Sequence, residues 1–229
     1  MEVYVKILDE ALKVGRTTLT EFESKQVLAS YNLPVTREEL VNSPEDLLKA
    51  ADRIGDPLVI KGCAAEIAHK TELGLVRVDV RNDQEATTAF REISAAMQDA
   101  SDGTILVQQL VKGKRELVVG LTRDQQFGPC VMFGLGGIFT EVLKDTVFRV
   151  APLEKQDALE MMQDIKASKI LEEFRGMAAV DKDALAKMLL TVGRIGIEND
   201  AIKEIDINPV VISGGKPVAV DALVVLQNS

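Results

Sequence analysis

Tryptophan is absent from this chain, and all aromatics together make up only 4% of it. That leaves little surface on which nucleic-acid bases could stack. Basic residues are outnumbered by acids, 27 against 36, for a formal net charge of −9. A general nucleic-acid or anionic-membrane binder is excluded on that balance, although a few lysines and arginines can still build a local phosphate pocket. Cysteine occurs twice, at Cys63 and Cys130, with neither CxxC spacing nor enough thiols for a disulfide framework. Their apolar and small neighbours predict buried free thiols. No apolar run approaches the length of a membrane span, and acids interrupt residues 1–10 where a secretory leader would need an unbroken core. The expectation is a cytoplasmic protein. Histidine occurs once, so any imidazole chemistry must use His69.

What the chain does hold is apolar and charged in globular proportion, 46% and 28% of 229 residues, which suits one large domain or two associated lobes. Apolar residues at helical spacing predict a helix over 3–14. A second helix begins after Thr20, with Glu23 placed for a capping box, and stops before Leu33-Pro34. Ser43 and Pro44 open a third. Strands are predicted at 57–61 and 75–80, flanking the His69 loop, then at 103–111, 115–121 and 130–133. Helices are expected at 83–97, 155–166 and 181–197. Near the C-terminus, two apolar runs flank Gly214-Gly215, a hairpin signal. No repeat or flexible linker separates the parts.

Four features carry chemistry. Lys61 ends an apolar strand, where it serves either as a point charge for phosphates or as a strand-end side chain reaching water. The run Phe133-Gly134-Leu135-Gly136-Gly137 brings backbone N–H groups close together, but it matches neither the P-loop nor the dinucleotide fingerprint. Glu204, Asp206 and Asn208 alternate with isoleucines and share one strand face. Pairing about Gly214-Gly215 sets Asn208 opposite Asp221, and those oxygens suit Mg²⁺ held against nucleotide phosphates. Glu116, beside Arg115 after the turn at Gly113, is the fourth.

Val59-Ile60-Lys61, Glu66 to Gly74 around His69, Gly136 to Glu141, Phe148 to Pro152 and Glu204 to Pro209 together resemble the ATP-grasp β subunits of the NDP-forming acyl-CoA synthetases. The similarity is greatest to the ADP-forming acetate–CoA ligases, relatives of the succinyl-CoA synthetases, and it covers Ser24 to Leu226. It implies a mixed α+β, ATP-grasp fold with nucleotide between two lobes, approximately 20–106 and 107–229, and an N-terminal helix within 1–19 on the body. The implied reaction is acyl-CoA + ADP + Pi to acid + CoA + ATP, reversible and routed through phosphohistidine. His69 is then the phosphorylated residue, with Asp206 or Glu204 holding its ring. Lys61, Gly62, Gln108, Gln109, Leu110, Val111, Glu116, Gly136, Gly137, Glu141 and Arg149 are the implied nucleotide contacts, and Asn208 and Asp221 the Mg²⁺ ligands. An α subunit bearing the CoA site and a second phosphohistidine is the implied partner, in an α2β2 assembly. The chain departs from the family pattern at Ala64-Ala65, where many members have Ser-Pro, and at Leu75, where many have a second glycine. An ATP-grasp carboxylate–amine ligase and a non-catalytic nucleotide-binding module are the alternatives. Neither needs an α subunit and CoA.

Overall fold

The structure, a computed structural model, describes residues 2–65, 73–98, 103–137 and 143–227. Within them the helices are α1 (Glu2–Lys13), α2 (Glu21–Ser30), α3 (Pro44–Ile54), α4 (Asp83–Ala96), α5 (Lys155–Asp164) and α6 (Lys182–Glu198). The strands are β1 (Glu38–Val41), β2 (Leu58–Cys63), β3 (Val76–Val80), β4 (Thr104–Gln109), β5 (Glu116–Asp124), β6 (Gly128–Leu135), β7 (Thr146–Val150), β8 (Ile202–Ser213), β9 (Lys216–Ala219) and β10 (Leu223–Leu226). The chain divides into two units, residues 20–22 with 36–110, and residues 1–19, 23–35 and 111–229.

The smaller unit is an antiparallel sheet in the order β1-β4-β2-β3. Helices α3 and α4 cover one face of it, and Leu47, Ile54, Ile60, Ile93 and Val107 are buried between them. Both helices start where the sequence signals a start. The Ser43 hydroxyl accepts the Asp46 N–H at 3.1 Å, with Pro44 in the first turn, and the Asn82 amide oxygen accepts the Glu85 N–H at 2.9 Å.

The larger unit is a six-stranded antiparallel sheet, β10-β8-β5-β6-β7, with β9 also on β8. Alternate residues Leu117, Val119, Leu121, Val131, Phe133, Ile205 and Ile207 pack on one face against Leu185, Leu189, Val192 and Ile195 of α6. Each such side chain contributes roughly 1.5–3 kcal/mol by leaving water. The other face carries Asp206. Two-residue turn Gly214-Gly215 closes the β8–β9 hairpin with φ of 57° and 84°, values that a side chain disfavours at both positions.

Some expectations shift. Residues 23–35 belong to the larger unit rather than to a lobe spanning 20–106, because Val27, Leu28, Tyr31 and Leu33 bury themselves in that unit's core. Strands β5 and β6 run further than expected because they pair with each other from Leu117↔Leu135 to Asp124↔Gly128. The short edge strands β1 and β7 were not anticipated. Both cysteines are free and buried, as predicted.

Candidate functional site

In the smaller unit, Lys61 lies on the sheet face turned away from α3 and α4. It does not reach water. Its side chain is 7% exposed, and its ammonium meets the Glu21 carboxylate, 1% exposed, at 2.7 Å. A buried ammonium costs several kcal/mol unless paired, so this counter-ion keeps Lys61 charged inside the unit. Glu21 escaped the sequence reading because nothing local marks a partner forty residues away. Fully buried Gln108 is on the same face: Lys61 pairs with Leu106 in the β2–β4 ladder, and Val59 with Gln108.

Four neighbouring candidates have the following places. The Gln109 amide oxygen accepts from Arg37 at 3.2 Å, and strand alternation turns its side chain from Gln108's face to the other. The Leu110 N–H donates to Pro57 O at 3.0 Å, and the Gly62 N–H to Leu75 O at 2.9 Å, so sheet and loop pairing occupies both donors. Val111 belongs to the larger unit.

In the larger unit, Asp206 sits between Gly120 of β5 and Leu223 of β10. Burial, then the carboxylates of Glu204 and Asp221, push its pKa from 3.8 up to about 6. Negative charge is thus crowded at this end of the sheet. The β8–β9 ladder runs from Ser213↔Lys216 to Val210↔Ala219, and β8–β10 resumes in the same register at Asp206↔Leu223. Asn208 and Asp221 therefore face each other across the gap, where the Val220 N–H donates to Pro209 O at 3.1 Å.

Glu116, Gly137 and Asn208 converge beside it. The Asn208 amide oxygen accepts the Gly137 N–H at 2.9 Å. Gly137 has φ +61°, and a Cβ there would fall 1.9 Å from Glu116 Oε2. Only glycine fits. The Gly136 N–H is spent on Glu116 O at 2.9 Å, so the turn does not present a row of open amides to a phosphate. Arg149 is not brought to this end. It pairs across the sheet with Val131, on the helix-covered face, and its guanidinium bonds Asp164 at 2.5 Å. His69 and Glu141 lie outside the described residues.

The donors assembled here are oxygens, which suits a hard cation. Among the described residues no three Asp, Glu, His or Cys side chains could hold a metal by themselves. Mg²⁺ fits nonetheless, because it binds through one or two protein oxygens and completes its shell with water and phosphate. The crowding at Asp206 is the charge imbalance such an ion offsets. No helix among the described residues is long and apolar enough to cross a membrane.

Comparison with known proteins adds a second line. A family model described as an ATP-grasp domain matches residues 10–226. The β subunit of acetate–CoA ligase (ADP-forming) I from Pyrococcus furiosus is 44% identical over 225 residues, 95% of each chain. The acetyl-coenzyme A synthetase 1 of Ca. Korarchaeum cryptofilum, in complex with coenzyme A, Ca-AMPCP and HgCl+, superposes with TM-score 0.92 at 42% identity, over 97% of this chain and 99% of that one. The same enzyme with coenzyme A and Mg-AMPPCP, its phosphohistidine segment pointing towards the nucleotide-binding site, gives 0.88 at 41%, over 98% and 100%.

Proposed function

The chain belongs to the ATP-grasp family, among the β subunits of the ADP-forming acetate–CoA ligases, and from that membership we propose how its residues share the work. It is the nucleotide-using subunit of an acid–CoA ligase. The reaction joins acyl-CoA, ADP and inorganic phosphate into acid, CoA and ATP, and runs both ways. Phosphate displaces CoA to give an acyl phosphate. A histidine nitrogen takes the phosphoryl group, releasing the acid, and passes it to ADP.

His69 is that carrier on this chain. A neutral ring nitrogen attacks phosphorus, and the Asp206 or Glu204 carboxylate accepts the other ring N–H and fixes the tautomer. Lys61 offsets the crowded charge of the phosphates, with Glu21 holding it in place, and Gln108 offers its amide on the same face. Glu116 and Gly137 shape the turn against Asn208, next to Glu141 in sequence terms. Asn208 and Asp221 would hold Mg²⁺, which when bound shields phosphate charge. A separate α subunit carries the CoA site and a second phosphohistidine, in an α2β2 complex. The reaction runs in the cytoplasm, where Cys63 and Cys130 stay reduced.

The observation that supports this most is the meeting of Glu116, Gly137 and Asn208 beside the crowded Asp206 carboxylate. The test is labelling. With γ-labelled ATP and Mg²⁺ in the assembled complex, label should sit on His69 in acid-labile, base-stable form. His69→Ala should lose the label and acyl-CoA-driven ATP synthesis while keeping ADP binding by calorimetry. Acid-stable label, or normal turnover in that variant, would refute the role.

A further inference from the structure

Lys25 is among the largest fully buried side chains of the described residues, and nothing in the reaction just described uses it. Its ammonium donates to the Val220 carbonyl at 3.1 Å. The preceding residue, Ser24, is also wholly buried, and its hydroxyl accepts the Val224 N–H at 3.1 Å. These two contacts bracket Asp221. The residue stands in the three-residue interruption between β9 and β10, where the chain leaves the ladder of β8. Inside it, the Val220 N–H still donates to Pro209 O, but the proline has no N–H to give back, and Lys25 of α2 supplies the donor for the Val220 carbonyl.

An apolar residue would be the cheaper occupant of a fully buried helix position, since an ammonium must be desolvated to enter it. A methionine could fill the space, but it could not donate to Val220 O. Flanking contacts tie the same stretch down. The Leu19 N–H donates to Val224 O at 3.0 Å, and the Ala219 N–H to Pro34 O at 2.9 Å. Leu19, Ser24, Lys25 and Pro34 thus clamp the strand on both sides of Asp221, with Lys25 nearest to it in sequence terms.

We propose that Lys25, assisted by Ser24, is a positioning residue that fixes the peptide carrying Asp221 in the orientation needed to take a divalent cation with its nucleotide. The inference rests on the reading of Asp221 as a cation ligand. The route of that effect is the Val220–Asp221 peptide, whose carbonyl the Lys25 ammonium meets. A hydrogen bond from a charged donor is worth enough that its loss should cost about tenfold in the property it supports.

The experiment titrates Mg²⁺ into the purified chain with ADP, reading ADP binding by calorimetry, for the parent, Lys25→Met, Ser24→Ala and Asp221→Asn. Melting curves in EDTA confirm that each is folded. In Lys25→Met the half-saturating Mg²⁺ should rise about tenfold, with ADP affinity returning toward the parent's at saturating Mg²⁺, and Ser24→Ala should shift it less in the same direction. A purely structural lysine would lower the melting temperature and leave the Mg²⁺ requirement alone, which would overturn the proposal. The Asp221→Asn control separates the two ideas. If it leaves the Mg²⁺ requirement unchanged, the ligand reading itself fails. If it raises the requirement while folded Lys25→Met does not, only the positioning role is refuted. Should Lys25→Met fail to fold, Ser24→Ala decides alone: a raised requirement supports the clamp, and an unchanged one refutes it.

Discussion

Replacing Asp206 by asparagine should make the metal-free protein more stable at alkaline pH. The reason is the cost of keeping a carboxylate ionised at this site. Its pKa of about 6, against an ordinary 3.8, corresponds to about 3 kcal/mol at about 1.4 kcal/mol per pH unit. Folding favours the protonated form, so the stabilising share of this group is complete below about pH 4 and disappears as pH rises through about 6. At pH 8 the parent carries the full penalty, whereas Asp206→Asn carries none. Desolvation is the largest cause and the Glu204 and Asp221 carboxylates follow it, so an isosteric neutral amide removes all three at once. Urea unfolding in EDTA at pH 8 and pH 4 reads the difference. The variant's midpoint should lie about 1 M higher at pH 8, given slopes of a few kcal/mol per molar for a chain of this length. The gap should close at pH 4. Equal gaps at the two pH values, or a more stable parent at pH 8, would refute the reasoning.

Glu21→Gln should destabilise the free chain, because it replaces the buried carboxylate that meets the Lys61 ammonium with a neutral amide; denaturant titration checks it, and saturating ADP should restore part of the loss. Lys61→Ala should weaken ADP binding at least tenfold by calorimetry while the fold survives. Gly137→Ala should cost more than about 1 kcal/mol, since both the positive φ and the Glu116 carboxylate oppose a methyl group, and it should lower ADP affinity as well. Arg149→Ala, by contrast, should leave ADP affinity within about twofold, because the guanidinium is engaged with an exposed Asp164 and an exposed pair is worth at most about 1 kcal/mol.

Legibility followed the range of the interactions. The Ser43-Pro44 helix start and the Gly214-Gly215 hairpin are written into a few adjacent residues, and the sequence reading placed both. Strand β1 was missed because Glu38-Glu39-Leu40-Val41 is short and half acidic, and its strand character comes from pairing with β4. Glu21 and Lys25 were missed for a related reason. Their partners lie 40 and 195 residues away, and no local periodicity announces a buried charge. Arg149 shows the opposite case. The family resemblance named it as a nucleotide contact, whereas alternation along β7 turns it toward α5. The resemblance names the glycines at 62 and 136 as nucleotide contacts, and only the backbone pairing shows where their N–H groups go.

The shared register on either side of the β9–β10 interruption makes the two-glycine turn a ruler for residues well removed from it. Deleting one residue from Gly214-Gly215 leaves the hairpin a choice between losing its closure and sliding by one position, and a one-position slide exchanges the faces of a strand. Asp221 would then be turned toward the apolar core, and Asn208 would meet a different neighbour. The turn's length is therefore constrained along with the identity of its two glycines. Ser213 and Lys216 are free to drift so long as the count between the strands is kept. A length change in this turn would disable the facing pair as surely as replacing either member of it.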